Sequence, residues 1–454
     1  MVTFMSDKAS RRDFIRIGGA AVLGAVVQHS TSALAGDFSD TKTYGVNVRQ
    51  TGAVGDGQAD DGKAIQDALD SGAPLVVIPA GIYRIGNPLR VGSNTRITAH
   101  PRAQIIMGKG VGSDSSSFLL TNKDHEVGNE NILVEGGIWN GNNPENPRGK
   151  KEDPQAYHGV AIGFHNVQRL NLHNLTVRDP ESFHIRLNFV RDFRIDGIRL
   201  EDPHIRKTQD GIHVGGGCED GVICDVSAPG PMSPNDDMIA IQSGDGRETP
   251  EAVELTGLKA GAIRRIRVER VSAAEAFAFV RVLSVREPVE DIEIRDVRGG
   301  CRYLAIQLQT PSYLRRTLGR QVLGSGNLRR VKVQHCRVYR VDRHSPDPLI
   351  HIEQNVQDLV IEDFQRDADR DANPGPPLLL LDNNLPNRVL IEGVRADQVK
   401  ILDAPPGQTP FAAAPMADLY DRPLSHLAGE IPRGSKLELR GDTIGLLRVD
   451  STKA

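Results

Sequence analysis

Aromatic residues make up only 4% of this 454-residue chain, with a single tryptophan among them. A core large enough for that length must be filled by aliphatic side chains, which suits stacked β-structure. Cysteine is equally scarce: Cys218, Cys224, Cys301 and Cys336 are the whole complement. None stands in CxxC spacing and no histidine cluster completes a ligand set, which argues against a structural metal. Cys218 and Cys224 are close enough along the chain for a local disulfide, with buried free thiols as the alternative. An excess of one charge is missing too. The formal net charge of −4 sets up no field that would draw in nucleic acid or an anionic membrane surface. Nor does a Pro/Ser/Gly-rich linker cut the body of the chain, so one repeat-built domain accounts for its length.

What is present begins at the N-terminus. Ser10-Arg11-Arg12-Asp13-Phe14-Ile15 precedes a Gly/Ala-rich apolar run over 17–27 and then Ala33-Leu34-Ala35, a small-x-small pattern. These parts, in this order, resemble a twin-arginine export signal over residues 1–35. The apolar run is too short for a membrane span. The expectation is a mature chain from about Gly36, exported by the twin-arginine machinery and therefore periplasmic or secreted.

From Asn166 onward a unit of about twenty to thirty residues recurs. Its copies include 167–172, 212–214, 239–241, 263–268, 289–294, 328–333, 359–361 and 388–391, each alternating apolar and polar residues with the period of a strand. An antiparallel sandwich also has many short strands, but not so regular a unit with so few Asn-Gly or Asp-Gly hairpin turns. Coiling each unit into one rung lets every strand bond to its copies about 4.8 Å above and below, and stacks the inward residues in aliphatic columns. The expected fold class is all-β, a right-handed parallel β-helix over 36–403. Asp60-Asp61, Ala64-Ile65, Ala68-Leu69 and Gly72 read as a short amphipathic helix with an acidic start and a glycine stop, placed to cap the first rung. Past Asp403 the repeat fades into a tail, 404–454, in which 437–439 reads as a last strand or a clasp.

Aligning the rungs on their strands puts Asp210-Gly211-Ile212-His213-Val214 over Asp237-Met238-Ile239-Ala240-Ile241. The two aspartates then stack, and Asp236 sits in the bend before the strand. Carboxylates held that close push at least one pKa up, so one can act as an acid while another stays ionised as a base. Hydrolysis of a glycosidic bond needs that division of labour. The competing readings are turn caps and a hard cation such as calcium.

Gly52-Ala53-Val54-Gly55-Asp56-Gly57, Asp60-Asp61 and Ile78-Pro79-Ala80-Gly81-Ile82-Tyr83 together resemble the N-terminal segment of pectin-lyase-like β-helix proteins. The aspartate region resembles the polygalacturonases of glycoside hydrolase family 28. Asp210-Gly211-Ile212 matches the end of that family's Asn-Thr-Asp-Gly-Ile motif, with Thr208 and Gln209 in place of Asn and Thr, and Asp236-Asp237-Met238-Ile239-Ala240-Ile241 matches its Asp-Asp-x-Ile-Ala-Ile. Glu135-Gly136-Gly137-Ile138-Trp139-Asn140-Gly141 is similar to its early Gly-x-Ile-Asp-Gly segment. The resemblance implies a polysaccharide substrate, Asp236 as general acid, Asp210 and Asp237 as the residues that activate water, an inverting mechanism, and no cofactor.

The chain departs from the family on the next two rungs. Ala278 stands where the family has histidine in Gly-His-Gly, and Gln307 and Gln309 stand where it has the cations of Arg-Ile-Lys. Neutral amides cannot make the charge-assisted bonds by which those cations grip a uronate, so the sugar at the cleavage point is expected to differ from galacturonate. Arg186, His213, Ala240, Arg281, Gln307 and His351 fall in one outward column, giving His213, Arg281, Gln307 and Gln309 as substrate contacts, with His184 and His158 on preceding rungs. Arg315, Arg316 and Arg320 could rim the cleft. Two other functions fit the same scaffold. A lyase or epimerase would use Arg281, Lys207 or a histidine as base, with calcium on the carboxylates. A non-catalytic carbohydrate-binding β-helix would use the groove alone.

Overall fold

The computed structural model describes residues 45–150, 153, 155–244, 260–284, 286–308, 327–345, 347–352, 356–375 and 378–382, and the strand backbones 388–392, 399–402, 436–441 and 444–450. The export signal and its cleavage pattern, together with Gln309, Arg315, Arg316 and Arg320, lie outside the described residues.

Each short apolar segment pairs with its copy in the next coil. Eleven of them form one sheet in strict chain order, from Leu89–Val91 through Ile212–Val214, Asp237–Gln242, Ala278–Leu283 and Ile306–Leu308 to Val399–Leu402. The remaining strands join in a second, nineteen-stranded network. Among the described residues every pairing is parallel except that of Lys436–Gly441 with Ile444–Asp450. This is a parallel β-helix. Inside it, Ile185, Ile212, Ile239, Val280, Ile306 and Ile350 lie in register and are wholly buried, one aliphatic column of a core that needs few rings.

The strands of the second network are longer than their alternation predicts: the segment expected over 289–294 runs as Val289–Cys301. The cause is a pair of left-handed residues, five positions apart, that bends each coil without interrupting its ladder. Asp220 and Asp225, Arg265 and Arg270, Asp291 and Asp296, Arg330 and His335, and Asp358 and Asp363 all have φ near +50 to +60°. Asp tolerates that conformation, whereas Arg gives up about 1–2 kcal/mol to adopt it. The stacked charges offset part of this cost: Arg265 Nε lies 2.6 Å from Asp220, Arg270 Nε 2.8 Å from Asp225 and Arg330 Nε 2.6 Å from Asp291.

The capping segment forms a helix over Gly62–Leu69 that buries Ile65, Ala68 and Leu69. Asp60 Oδ1 accepts from the N–H of Gly62 at 2.9 Å, but Asp61 at the N-cap makes no side-chain cap. Asp61 instead accepts from the backbone N–H groups of Val54 and Gly55 at 2.6 and 3.0 Å, pinning the preceding loop. The four cysteines are buried free thiols, so the Cys218–Cys224 disulfide is not formed. Burial pushes the Cys218 and Cys336 thiols up to about 12. In the tail, Lys436–Gly441 pairs in parallel with Arg388–Glu392, which makes it a further strand of the coil.

Candidate active site

The eleven-stranded sheet builds the site by register. Because alternate residues of each strand fill the core, the residues between them point outward. Arg186, His213, Ala240, Arg281, Gln307 and His351 are direct neighbours on successive rungs. Three positions before His213 and Ala240, Asp210 lies over Asp237, with the Gly211 N–H donating to the Asp237 carbonyl oxygen at 2.9 Å. Glycine is required at 211: a Cβ there would stand 2.4 Å from the Met238 carbonyl oxygen. Asp236 occupies the bend just before the Asp237–Gln242 strand, its N–H donating to the Gln209 carbonyl at 3.1 Å.

Carboxylate oxygens of Asp210, Asp236 and Asp237 all lie within 4.8 Å of one another. Their surroundings differ. Asp237 is wholly buried and both of its oxygens are held: Gln307 Nε2 donates to Oδ1 at 2.9 Å and Arg281 Nη1 stands 3.0 Å from Oδ2. Arg281 also donates through Nε and Nη2 to Gln307 Oε1 at 3.1 and 3.0 Å, closing a three-residue network. Asp210 is 3% exposed, and its Oδ2 lies 2.8 Å from His213 Nδ1. The His213 ring stacks on Phe183 with centroids 4.6 Å apart. Asp236 alone keeps an open face, with 22% of its side chain exposed. Among the described residues these three carboxylates are also the one grouping that could surround a cation. Arg281 already brings a positive charge to Asp237, so the donor set is partly neutralised without a metal.

The structure therefore brings together Asp210, Asp236, Asp237, His213, Arg281 and Gln307. His184 is corrected. It is wholly buried behind Asp210, with Nδ1 2.8 Å from the Asp210 carbonyl oxygen and Nε2 3.1 Å from Asp202, so it contacts protein and not the groove. Burial alone would lower its pKa, but the Asp202 carboxylate outweighs that and raises it. His158 and His351 are buried as well, and Lys207 is exposed in the turn before Asp210.

A second set of side chains gathers around Arg186, of which the sequence placed only Arg186 itself in the outward column. Arg186 is buried with its guanidinium 5.6 Å from the Phe118 ring centroid and 3.4 Å from His165, which stacks on His125 at 4.5 Å. Burial lowers Arg186 to about 10 and, with the charges of Arg90 and Arg186, lowers His125 to about 4. On the other flank, Phe277 and Tyr303 stack at 5.1 Å. Phe118, His125, Phe277 and Tyr303 belong to loops and bends that carry no periodicity, whereas His165 ends the strand Ile162–His165.

The family model described as "Rhamnogalacturonase A/epimerase, pectate lyase-like" matches residues 45–143. An Arabidopsis thaliana protein named "probable polygalacturonase" is 27% identical over 230 residues, 49% of this chain and 46% of that protein. The chain spans between 12% and 46% of the length of the curated relatives it matches. Among solved structures, PfbA, a surface adhesin of Streptococcus pneumoniae, superposes with a TM-score of 0.56 at 14% identity, covering 87% of this chain and 90% of the adhesin. A family 28 exopolygalacturonase of Yersinia enterocolitica gives 0.53 at 16% identity, covering 78% of this chain and 72% of the enzyme. Among the described residues no helix is long and apolar enough to cross a membrane.

Proposed function

We propose that this parallel β-helix is pectin-lyase-like, an exported glycoside hydrolase of the polygalacturonase type that cleaves a polysaccharide. The observation that carries the reading is the asymmetry of the trio: one half-open carboxyl, Asp236, stands within 4.8 Å of two buried ones that have partners of their own. Asp236 gives its proton to the glycosidic oxygen as the bond to the anomeric carbon breaks. A water held beside Asp210 and Asp237 attacks that carbon and loses its proton to them, which inverts the anomeric centre. The trio is tighter than the roughly 6.5–9.5 Å usual for an inverting pair. A base made of two adjacent carboxylates, with water beside both, accommodates that difference.

The substrate is a polymer whose sugar at the cleavage point is not plain galacturonate. Ala278 and Gln307 support this, since neither supplies the histidine or cation found at those positions in the polygalacturonases. The lyase or epimerase reading is less well supported. Arg281 is engaged by the buried Asp237 carboxylate and by Gln307, which suits a binding group better than a base. The likeness to an adhesin favours a second reading, a groove that binds glycan without turnover.

Product analysis on neutral and acidic polysaccharides separates these outcomes. Hydrolysis releases reducing ends with no unsaturated uronate, and proton NMR of the first product shows the inverted anomer. Asp236→Asn should lower turnover by at least about a thousandfold while the fold is kept. Undiminished turnover in that variant would sink the assignment; glycan retention with no product from wild type would support the adhesin-like reading.

A further inference from the structure

We propose that His184, Asp202 and Ser233 form a buried brace that fixes the turn carrying Asp236 against the backbone of Asp210, which makes them positioning residues for the proposed hydrolysis. The inference rests on the reading of Asp236 as acid and of Asp210 as part of the base.

Asp236 needs such a brace. Asp237 opens a strand and is set by its ladder, but Asp236 lies in the bend before it, at the end of the turn that follows Glu219–Ala228. That turn rests on the equivalent turn of the preceding rung, which follows Arg191–Glu201 and leads to Asp210. Three bonds join them. The Ser233 hydroxyl donates to Asp202 Oδ2 at 2.6 Å, Asn235 Nδ2 to the Arg206 carbonyl oxygen at 2.8 Å, and the Asp236 N–H to the Gln209 carbonyl oxygen at 3.1 Å. The first is charge-assisted and closed to water, with Ser233 1% exposed and the Asp202 side chain wholly buried.

His184 supplies the charge that lets Asp202 stay ionised there. Its backbone N–H and its ring Nδ1 both meet the Asp210 carbonyl oxygen, at 2.9 and 2.8 Å, and a carbonyl oxygen can only accept. Nδ1 therefore carries a proton. Nε2 stands 3.1 Å from Asp202 Oδ1, and a neutral ring would turn a lone pair towards that carboxylate, so Nε2 carries a proton as well. Burial works against the charge, and the Asp202 carboxylate outweighs it. Neither His184 Nε2 nor Asp202 Oδ1 has a hydrogen bond to another group among the described residues, so each depends on the other. The Asp210 carbonyl, the imidazolium, the carboxylate and the Ser233 hydroxyl thus form one line through the interior, and Ser233 stands three residues before Asp236. A buried ion pair is often no more stabilising than an apolar pair of the same volume. What this one supplies is a fixed distance between two turns.

The test compares Ser233→Ala and His184→Gln with a control, Ser284→Ala. Ser284 is another buried hydroxyl, donating to the Glu287 carbonyl oxygen at 2.6 Å, just past the end of the Ala278–Leu283 strand that lies away from Asp237. Reducing ends released from rhamnogalacturonan, polygalacturonate and β-glucan give kcat and KM, and amide hydrogen exchange is followed in the peptide around Asp236. Ser233→Ala is expected to lower kcat about tenfold with KM within about twofold, and to speed exchange at Asp236. His184→Gln should lower kcat at least as much, and Ser284→Ala should leave both readouts near wild type. Circular dichroism checks folding; if His184→Gln does not fold, Ser233→Ala, which loses one hydroxyl, still decides. A kcat for Ser233→Ala within twofold of wild type, an equal fall in Ser284→Ala, or a change confined to KM would overturn the proposal. Failure of the hydrolase reading looks different: wild type releases no reducing ends from any polymer. Exchange then judges the brace alone, which stands if Ser233→Ala speeds it at Asp236 and falls if it does not.

Discussion

Arg281 Nη1 lies 3.0 Å from Oδ2 of Asp237, and the carboxylate it faces is wholly buried while Arg281 keeps 13% of its side chain exposed. A carboxylate taken out of water depends on its partner more than the partner depends on it. Arg281→Gln should therefore destabilise the chain by about 3–5 kcal/mol, and Arg281→Gln combined with Asp237→Asn should recover most of the loss because no charge is left buried. Urea midpoints of wild type and the two variants measure this. A wild-type midpoint for Arg281→Gln alone would show that the pair is not what holds the carboxylate.

At Gly211 the rung carrying Asp210 packs directly on the rung carrying Asp237, through the bond from its N–H to the Asp237 carbonyl oxygen. A methyl group there meets the Met238 carbonyl oxygen at 2.4 Å, and backbone cannot swing aside as a side-chain tip can. Gly211→Ala should cost about 1–3 kcal/mol and should lower turnover more than Ala substitution at Gly92, where an added Cβ meets nothing within 4 Å, because it spreads the carboxylates. Equal turnover in the two alanine variants would contradict this.

His125 couples the other flank to pH. Its pKa falls from an ordinary 6.5 to about 4, through burial first and then the charges of Arg90 and Arg186. Between those two values the unfolded chain binds a proton that the folded chain refuses, so stability drops as pH falls from about 6.5 towards 4. His125→Gln should flatten that limb, raising the denaturation midpoint relative to wild type at about pH 4.5 with no relative change at about pH 8. An unchanged acid slope would mean that other groups set it.

Much of this was legible from the chain because a parallel coil repeats its register. Once Ile212 was laid over Ile239, the stacking of Asp210 on Asp237 and the column from Arg186 to His351 followed from a period of two. Partners that arise across turns were not legible. Nothing in the alternation of 183–188 says that His184 reaches back to Asp202, or that Phe183 turns its face to His213. The left-handed bends were half visible: aspartates at 220, 225, 291 and 296 suit that conformation, but arginines at 265, 270 and 330 adopt it with a carboxylate of the preceding rung as partner.

Those paired bends give the molecule a fixed step, and the candidate site depends on the spacing of steps and not on their number. Gain or loss of a whole coil before Leu89 or after Ile352 would leave the groups between Asp210 and Gln307 where they are. One coil inserted between Asp210 and Asp237 would double their separation from about 4.8 to about 9.6 Å and dissolve the trio while the ladder continued unbroken. A scaffold of this kind can lengthen freely at its ends, and it can lose its chemistry through a single internal duplication that leaves every strand paired.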